Sequence, residues 1–395
     1  VRERAQRVKQ KMPLDEPIRY DIIDTPEKLE RLADLLRGQP VIGVDLEADS
    51  MFHFQEKVCL VQIAGGGRNA IVDTLAVHDL SALRPIFRDA DTCKVFHGAD
   101  YDVRSLYRDF EIRIHNLFDT QAACRFLGFE ETGLEAVLRN TFGILVDKKY
   151  QRKDWSRRPL PDEMLAYAAS DVRHLAPLAQ KLKAELEAAG RLSWVDEECR
   201  LLSKVRPAAN SDQPLFLSFK GAGRLDPRSL AVLEQLLQLR VRLAREKDRP
   251  LFKVFNPNTL LQLALQKPET PEALTEGGAL SQNQVHQHGR AILAAVRAGL
   301  ELPAGQLPRY PRQKQKVVPA SVCDRIQALR TWRDKAAERL KLDPALVCPK
   351  ATMQAVAERR PTKMEELAEV EGLRQWQRKA FGRDMLGILN KPKSD

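Results

Sequence analysis

Val41-Ile42-Gly43-Val44-Asp45-Leu46-Glu47-Ala48-Asp49 decides how the rest of this 395-residue chain is read. Val41, Ile42 and Val44 make a short apolar run of the kind that forms a buried strand. The run delivers Asp45 and Glu47 to its carboxyl-terminal end. Residues two apart on a strand point to one face, so both carboxylates converge on one spot. Two unpaired carboxylates at the edge of a core repel each other and are costly to desolvate. A divalent metal is the simplest partner. A strand running into a solvated acidic turn would look the same in isolation, so the reading turns on whether more carboxylates arrive at comparable positions.

Working outward, Lys57 to Ala64 (KVCLVQIA) is apolar and β-rich, Gly65-Gly66-Gly67 is a turn, and Ala70-Ile71-Val72 follows. Three antiparallel strands in a meander are expected. The glycines lack a following Lys-Ser/Thr and a strand-to-helix transition, so they mark a hairpin and not a phosphate cradle. Upstream, Thr25-Pro26-Glu27-Lys28 caps a helix with Leu29, Leu32, Leu35 and Leu36 on one face, and residues 1–40 read as peripheral. Downstream, a helix around Leu80 to Phe87 leads to a fourth strand, Lys94-Val95-Phe96-His97. Gly98-Ala99-Asp100-Tyr101-Asp102 then brings two acids to the start of a helix. Ile112 to Leu117 reads as a fifth strand, and Asp119 can cap the helix carrying Ala122, Ala123 and Phe126. Alternating strands and helices predict an α/β domain with a mixed sheet.

Beyond Gly133–Phe142 lies a basic run, Lys148-Lys149-Tyr150-Gln151-Arg152-Lys153-Asp154-Trp155-Ser156-Arg157-Arg158. It suits a loop that contacts a phosphate backbone, with Trp155 either stacked on a base or tucked into the core. A helix from Asp162 to Leu186 places Tyr167 and Asp171 one turn apart on the same face, with small residues between them that permit close packing. Asp171 adds a further carboxylate to Asp45, Glu47 and the Asp100/Asp102 pair.

The order Asp-x-Glu on the first strand, Asp after the fourth strand and Tyr-x-x-x-Asp on a late helix resembles the DEDD exonucleases, in the subgroup with tyrosine. His97-Gly98-Ala99-Asp100-Tyr101-Asp102, Phe118-Asp119-Thr120-Gln121, Asp154-Trp155-Ser156-Arg157-Arg158-Pro159-Leu160 and Tyr167-Ala168-Ala169-Ser170-Asp171 together are similar to the ribonuclease D family, from about Tyr20 to Val195. Position alone leaves Asp100 and Asp102 equivalent; the family's spacing from the histidine selects Asp102.

Later segments repeat. Asn256-Pro257 introduces Leu260, Leu261, Leu263 and Ala264, then Pro268, Leu274 and Gly289-Arg290; Cys348-Pro349 introduces Met353, Val356 and Ala357, then Pro361, Leu367 and Gly382-Arg383. Leu274 to Gly289 and Leu367 to Gly382 are equally spaced. Each repeat resembles the HRDC domain, a small helical bundle. Pro303 to Pro319 between them, with Arg309, Tyr310, Arg312, Lys314 and Lys316, reads as a basic tether.

The composition narrows the partner. The chain carries +10 overall, but residues 41–180 hold 17 Lys and Arg against 21 Asp and Glu, a net of −4, so the remainder carries +14. A polyanion attracted to a basic surface outside an acidic core is expected. No window approaches a membrane span, the amino terminus Val1-Arg2-Glu3-Arg4 has no apolar signal core, and the six cysteines form no CxxC pair. They read as reduced core thiols of a cytoplasmic protein.

The resemblance implies an RNase H-like, mixed-sheet α/β exonuclease domain with an N-terminal extension over residues 1–205, followed by two small all-α HRDC-like bundles. The first bundle spans 225–303 after a linker at 206–224, and the second spans 320–395 after the basic linker at 304–319. It implies a metal-dependent 3′→5′ exoribonuclease that releases nucleoside 5′-monophosphates, in 3′ maturation of tRNA precursors and other stable RNAs. Two divalent cations, Mg²⁺ or Mn²⁺, would suit the all-oxygen site. By resemblance Asp45 would bridge both ions, Glu47 and Asp171 would complete the one that binds the attacking water, and Asp102 would serve the one near the leaving 3′ oxygen. Tyr167 would aim the water. Lys153, Trp155, Arg157 and Arg158 are candidate RNA contacts. The partner would be RNA with a free 3′ end, bound by a monomer with no membrane association. The repeats would capture folded RNA, so a chain cut after about Val205 is expected to go on cleaving short unstructured RNA.

Overall fold

The computed structural model describes residues 18–146, 148–208, 213–311 and 318–390. Residues 1–17, Asn210 and Ser211 of the expected linker, and Arg312, Lys314 and Lys316 of the tether lie outside the described residues. The chain folds as two compact units. One comprises Val1–Ala48, Val58–Pro207 and Val317–Asp395; the other comprises Asp49–Lys57 and Ala208–Lys316.

The first unit is built on six strands: β1 (Asp21–Ile23), β2 (Val41–Ala48), β3 (Val58–Gly65), β4 (Arg68–Asp73), β5 (Cys93–Phe96) and β6 (Leu117–Asp119). Their order is β1-β4-β3-β2-β5-β6. β2, β3 and β4 form the expected antiparallel meander, while β1 joins β4, β5 joins β2 and β6 joins β5 in parallel. The helices are α1 (Pro26–Leu36), α2 (Arg84–Arg88), α3 (Asp100–Phe110), α4 (Thr120–Leu127), α5 (Leu134–Phe142), α6 (Asp162–Arg173), α7 (Leu175–Ala188) and α8 (Leu192–Leu202). Alternation sorts the sheet's side chains. Val44, Leu46, Val61, Ile63 and Val72 join the large core, whereas Leu60 and Ile71 join a smaller one with Trp155, Met164, Leu165, Ala168 and Ala169. Asp45 and Glu47 pair with Gln62 and Leu60, which places them on this second face, under α6.

Three local expectations change. β1 is an added strand of three residues with one buried side chain, too short to leave a periodic signal. The fifth strand begins only at Leu117; Ile112 and Ile114 are buried without joining the sheet, because apolar spacing reports burial and not strand pairing. The helix expected from Asp162 to Leu186 breaks at His174. Pro177 has no N–H to give the Arg173 carbonyl and its ring would collide with it, so one helix cannot run through.

The second helical repeat belongs to the same unit: α14 (Ala320–Leu340), α15 (Pro344–Val347), α16 (Lys350–Arg359), α17 (Met364–Leu367) and α18 (Gln375–Leu389). Trp194 of α8 stacks on Trp376 with ring centroids 4.6 Å apart. The Glu197 carboxylate accepts from the first free N–H groups of α18, Gln375 N and Trp376 N, both at 2.8 Å. Glu198 accepts from the Trp376 indole at 2.9 Å, and Arg191 donates to Leu340 O at 2.9 Å. Gly128 has φ +83°, and a Cβ there would lie 2.3 Å from Lys341 O. A cut after Val205 therefore removes part of the core in which the nuclease is packed, so the nuclease is not the separate folding unit that the expected truncation needs.

The second unit holds the first repeat: α9 (Pro227–Glu246), α10 (Leu251–Val254), α11 (Pro257–Gln266), α12 (Pro271–Glu276) and α13 (Gln282–Leu300). The 49–57 segment packs on it. His53 Nδ1 lies 2.6 Å from Asp248 Oδ2, Phe54 N donates to Asp248 Oδ1 at 3.1 Å, and the Phe54 ring lies against the bundle's core. The match between repeats is physical: Gly289 faces Leu274, and Gly382 faces Leu367.

Candidate active site

Asp45 and Glu47 project from one face of β2, and the register with β3 shifts between Glu47 and Ala48, a bulge beside the site. α6 supplies Tyr167 and Asp171. Its approach to β2 depends on Gly43, where a Cβ would lie 2.9 Å from the Val172 carbonyl. Buried Ala168 and Ala169 bring the same helix down on β3 and β4. Asp102 sits in the first turn of α3. That turn is aligned by Asp119, whose carboxylate accepts from Gly98 N and Ala99 N ahead of α3, and from Gln121 N and Ala122 N as the cap of α4. The expected capping role of Asp119 thus extends to two helices.

A cavity of about 340 Å³ is lined by Asp45, Glu47, Tyr167 and Asp171 together with His97, Gln121, Glu135 and Lys148. Asp102 is buried nearby: it raises the energy of the charged form of Glu47, and Asp45 does the same to Asp102. Burial pushes Asp45 up to about 7, while burial first and then repulsion from neighbouring acids pushes Asp171 to about 8 and Glu47 and Asp102 well above the carboxylate range. Asp100, one turn-step away, behaves oppositely. It is exposed, held by Arg104 at 2.8 and 3.0 Å, and that pairing lowers its pKa. The Tyr167 hydroxyl donates to Asp171, and burial and the surrounding carboxylates raise the phenol far above its ordinary value.

Among the described residues, no group of three or more His, Cys, Asp or Glu side chains forms a ready-made metal-binding cluster. The donor set nonetheless fits divalent cations. No Lys or Arg among the described residues forms an ion pair with Asp45, Glu47, Asp102 or Asp171, so their charge has no compensation within the fold. Gln62, opposite Asp45 on β3, is fully buried, and neither amide atom has a hydrogen-bond partner among the described residues. An orphaned amide next to uncompensated carboxylates is the pattern of a site whose polarity is meant for an ion or water.

Two candidate RNA contacts are corrected. Trp155 is 1% exposed and packs beneath α6, so no base can stack on it. Arg158 spends all five guanidinium N–H groups inside the fold: on Asp73 at 2.6 and 2.7 Å, Cys59 O at 3.2 Å, and Trp155 O and Arg157 O at 2.7 Å each. Lys153 and Arg157 remain exposed; the Arg157 guanidinium bonds to Asp154 at 3.1 Å. Two neighbours of the site, His97 and Gln62, have no role assigned from sequence, and Lys148 figures there only within the basic run. His97 Nε2 donates to Thr132 O at 2.8 Å, Lys148 pairs with Glu135 at 2.8 Å at the cavity wall, and Gln62 carries the orphan amide. Gln62 could have been found as the one polar residue inside an apolar strand.

Residues 20–187 match a family model described as 3'-5' exonuclease, and residues 229–296 and 324–389 each match the HRDC domain. A ribonuclease D of Gluconacetobacter diazotrophicus is 32% identical over 371 residues, covering 93% of this chain and 92% of that protein. The chain belongs to the ribonuclease D family. Membership in the ribonuclease D family carries hydrolytic 3′→5′ exonuclease activity. The crystal structure of Escherichia coli RNase D, described as an exoribonuclease involved in structured RNA processing, superposes with a TM-score of 0.72 at 26% identity, over 94% of this chain and 99% of that one. The catalytic core of RRP6 from Trypanosoma brucei is 31% identical, with a TM-score of 0.64 over 74% of this chain and 83% of its own.

Proposed function

We propose that the protein is a metal-dependent 3′→5′ exoribonuclease that releases nucleoside 5′-monophosphates from RNA with a free 3′ end, tRNA precursors and other stable RNAs among them. One observation carries this reading: four close-set carboxylates, Asp45 half-buried and the other three buried, none ion-paired with a Lys or Arg among the described residues, beside a tyrosine hydrogen-bonded to one of them. Asp45, Glu47, Asp102 and Asp171 would hold two divalent cations, Mg²⁺ or Mn²⁺. When bound, the cations supply acidification of water and neutralisation of phosphate charge. Tyr167 stays protonated, because burial and its acidic neighbours oppose ionisation, so its hydroxyl can orient a water but cannot take its proton. Lys148, at the cavity wall, and the exposed Lys153 and Arg157 would be available to an RNA backbone. The tether and second bundle, residues 304–395, hold 20 Lys and Arg against 11 Asp and Glu and supply the attraction for the rest of the RNA.

The test is digestion of a 3′-extended tRNA transcript and of matched single-stranded RNA and DNA, with product mapping. Asp45→Asn should lower the rate by several orders of magnitude in a folded protein. Asp102→Ala should be severe and Asp100→Ala mild. Near-wild-type turnover by folded Asp45→Asn refutes the reading, and preference for DNA refutes its substrate.

Acid–base linkage gives a second readout. Asp45 and Asp171 are raised to about 7 and 8 when folded, against roughly 4 in an unfolded chain. Between those values the native state binds more protons than the unfolded state, so stability falls as pH rises. With EDTA, Tm should drop from pH 5.5 to pH 8.5 by roughly 5 °C. Mn²⁺ should shrink that drop, because the cation takes the place of the protons. The same drop with and without metal overturns the assignment of the carboxylates as ligands.

A further inference from the structure

The Asp154–Arg158 segment is left without a task once Trp155 and Arg158 are removed from the RNA-contacting set. Its construction is specific. The Asp154 carboxylate accepts from Ser156 N at 3.2 Å, Ser156 Oγ at 2.6 Å and Arg157 Nε at 3.1 Å, which folds the segment on itself. Arg158 ties it to the sheet: two bonds go to Asp73 at the end of β4, one to Cys59 O in β3, and one to the carbonyl of Trp155 itself. The indole so anchored lies against the Tyr167 ring, with centroids 6.1 Å apart and planes 29° from parallel. Tyr150, five residues before Trp155, meets the same ring edge-on at 5.8 Å. The opposite end of the tyrosine, its hydroxyl, is bonded to Asp171.

The indole N–H is buried and has no partner among the described residues. It contributes no hydrogen bond, and an orphaned donor of this kind costs stability compared with an apolar ring. Filling the core is thus a task that phenylalanine would perform without that cost. What the indole adds is a broad, rigid plate against which the phenol ring is set.

We infer that Trp155, fixed by the Arg158–Asp73 clamp, is a positioning residue for Tyr167: it sets the ring from which the hydroxyl reaches the cavity. The inference rests on the proposed role of Tyr167 in orienting water. Tyr167 is one of the cavity's walls and Trp155 is not, and the Tyr167 ring is the part of that wall the indole meets.

The experiment is a double-mutant cycle on the full-length protein with a short single-stranded RNA, measuring single-turnover rate and RNA affinity separately. Trp155→Leu should slow hydrolysis by about tenfold, the scale of a small misplacement of a catalytic group, with affinity unchanged within about twofold. In a Tyr167→Phe background the same substitution should have no further effect, because the hydroxyl it positions is gone. Trp155→Phe, which removes no hydrogen bond, should fall between wild type and the leucine variant, and it decides the matter if Trp155→Leu does not fold. An equal loss of rate in both backgrounds, or a loss confined to affinity, overturns the inference. So does a wild-type rate in a folded Trp155→Leu. If Tyr167→Phe alone leaves the rate unchanged, the water-orienting role has failed, and the positioning inference fails with it, separately from the four-carboxylate reading.

Discussion

The two helical bundles are the same object put to different uses. Corresponding positions lie 93 residues apart, as Leu274 and Leu367 show. Within each bundle the same contacts recur. Thr259 and Thr352 donate to the carbonyls of Ala279 and Gly372, and Lys267 and Arg360 end their helices in the left-handed region, at φ 50° and 49°. Asp248 and Lys341, both at left-handed corners after the bundles' longest helices, also correspond. Their surroundings differ. The Asp248 carboxylate holds His53 and Phe54, whereas the Lys341 carbonyl lies against Gly128 of the nuclease. The plainest contrast is Asn283 and Trp376: the first is exposed on α13, the second buried between α8 and its own bundle. The residues that repeat build the bundle, and those that do not repeat decide what it joins.

The largest effect should come from deleting residues 318–395. That deletion uncovers Phe126 and Trp194 and strips Glu197 and Glu198 of their partners. The remaining nuclease should aggregate or lose on the order of 10 °C or more in Tm, measured by scanning fluorimetry. A fragment that keeps its Tm and cleaves short RNA would break the contrast outright. Next, Trp376→Ala should cost about 3–5 kcal/mol in urea unfolding. The corresponding Asn283→Ala should stay within about 0.5 kcal/mol. Equal costs would mean that the position, and not the docking, carries the stability.

Charge gives a smaller, sharper test. Neutralising Arg330, Lys335 and Arg339, all exposed on α14, should flatten the slope of log affinity against log salt by about 2. The same treatment of Arg242, Arg290 and Arg297 in the first bundle should do less, since residues 225–303 carry 10 Lys and Arg against 8 Asp and Glu. Equal changes would place RNA capture on both bundles alike. The smallest effect separates the two helix glycines. A Cβ at Gly289 meets Leu274 Cδ2 at 3.4 Å, an ordinary contact, so Gly289→Ala should stabilise by about 0.5–1 kcal/mol through helix propensity. At Gly382 the Cβ would lie 2.8 Å from Met364 Cε and 2.9 Å from its sulfur, so the gain should be cancelled by the shift of that side chain. Chemical denaturation of both variants checks the difference.

The meander, the helix caps at Thr25 and Asp119 and the placement of Asp45, Glu47, Tyr167 and Asp171 were legible in sequence because each depends on neighbours a few residues away. Period two puts Asp45 and Glu47 on one face, and one helical turn puts Tyr167 above Asp171. β1 and the break at His174 were less legible. The first needs β4 as a partner, and the second needs a proline weighed against a long apolar pattern. The basic run misled for a related reason: Arg158 and Trp155 look solvent-directed until Asp73 and the α6 face, distant in sequence, are brought to them.

By itself the sequence determined that Asp45 and Glu47 share one face of β2, that Tyr167 and Asp171 lie one turn apart on α6, and that two copies of one helical pattern follow. Those properties are local, set by backbone periodicity and by residue type. Only the tertiary structure decided that Asp102 turns inward while Asp100 pairs with Arg104, that Asp45, Glu47 and Asp171 line one cavity, and that the second bundle belongs to the nuclease core. Burial and long-range pairing set a carboxylate's charge and a tryptophan's partner, and neither can be read from spacing along the chain.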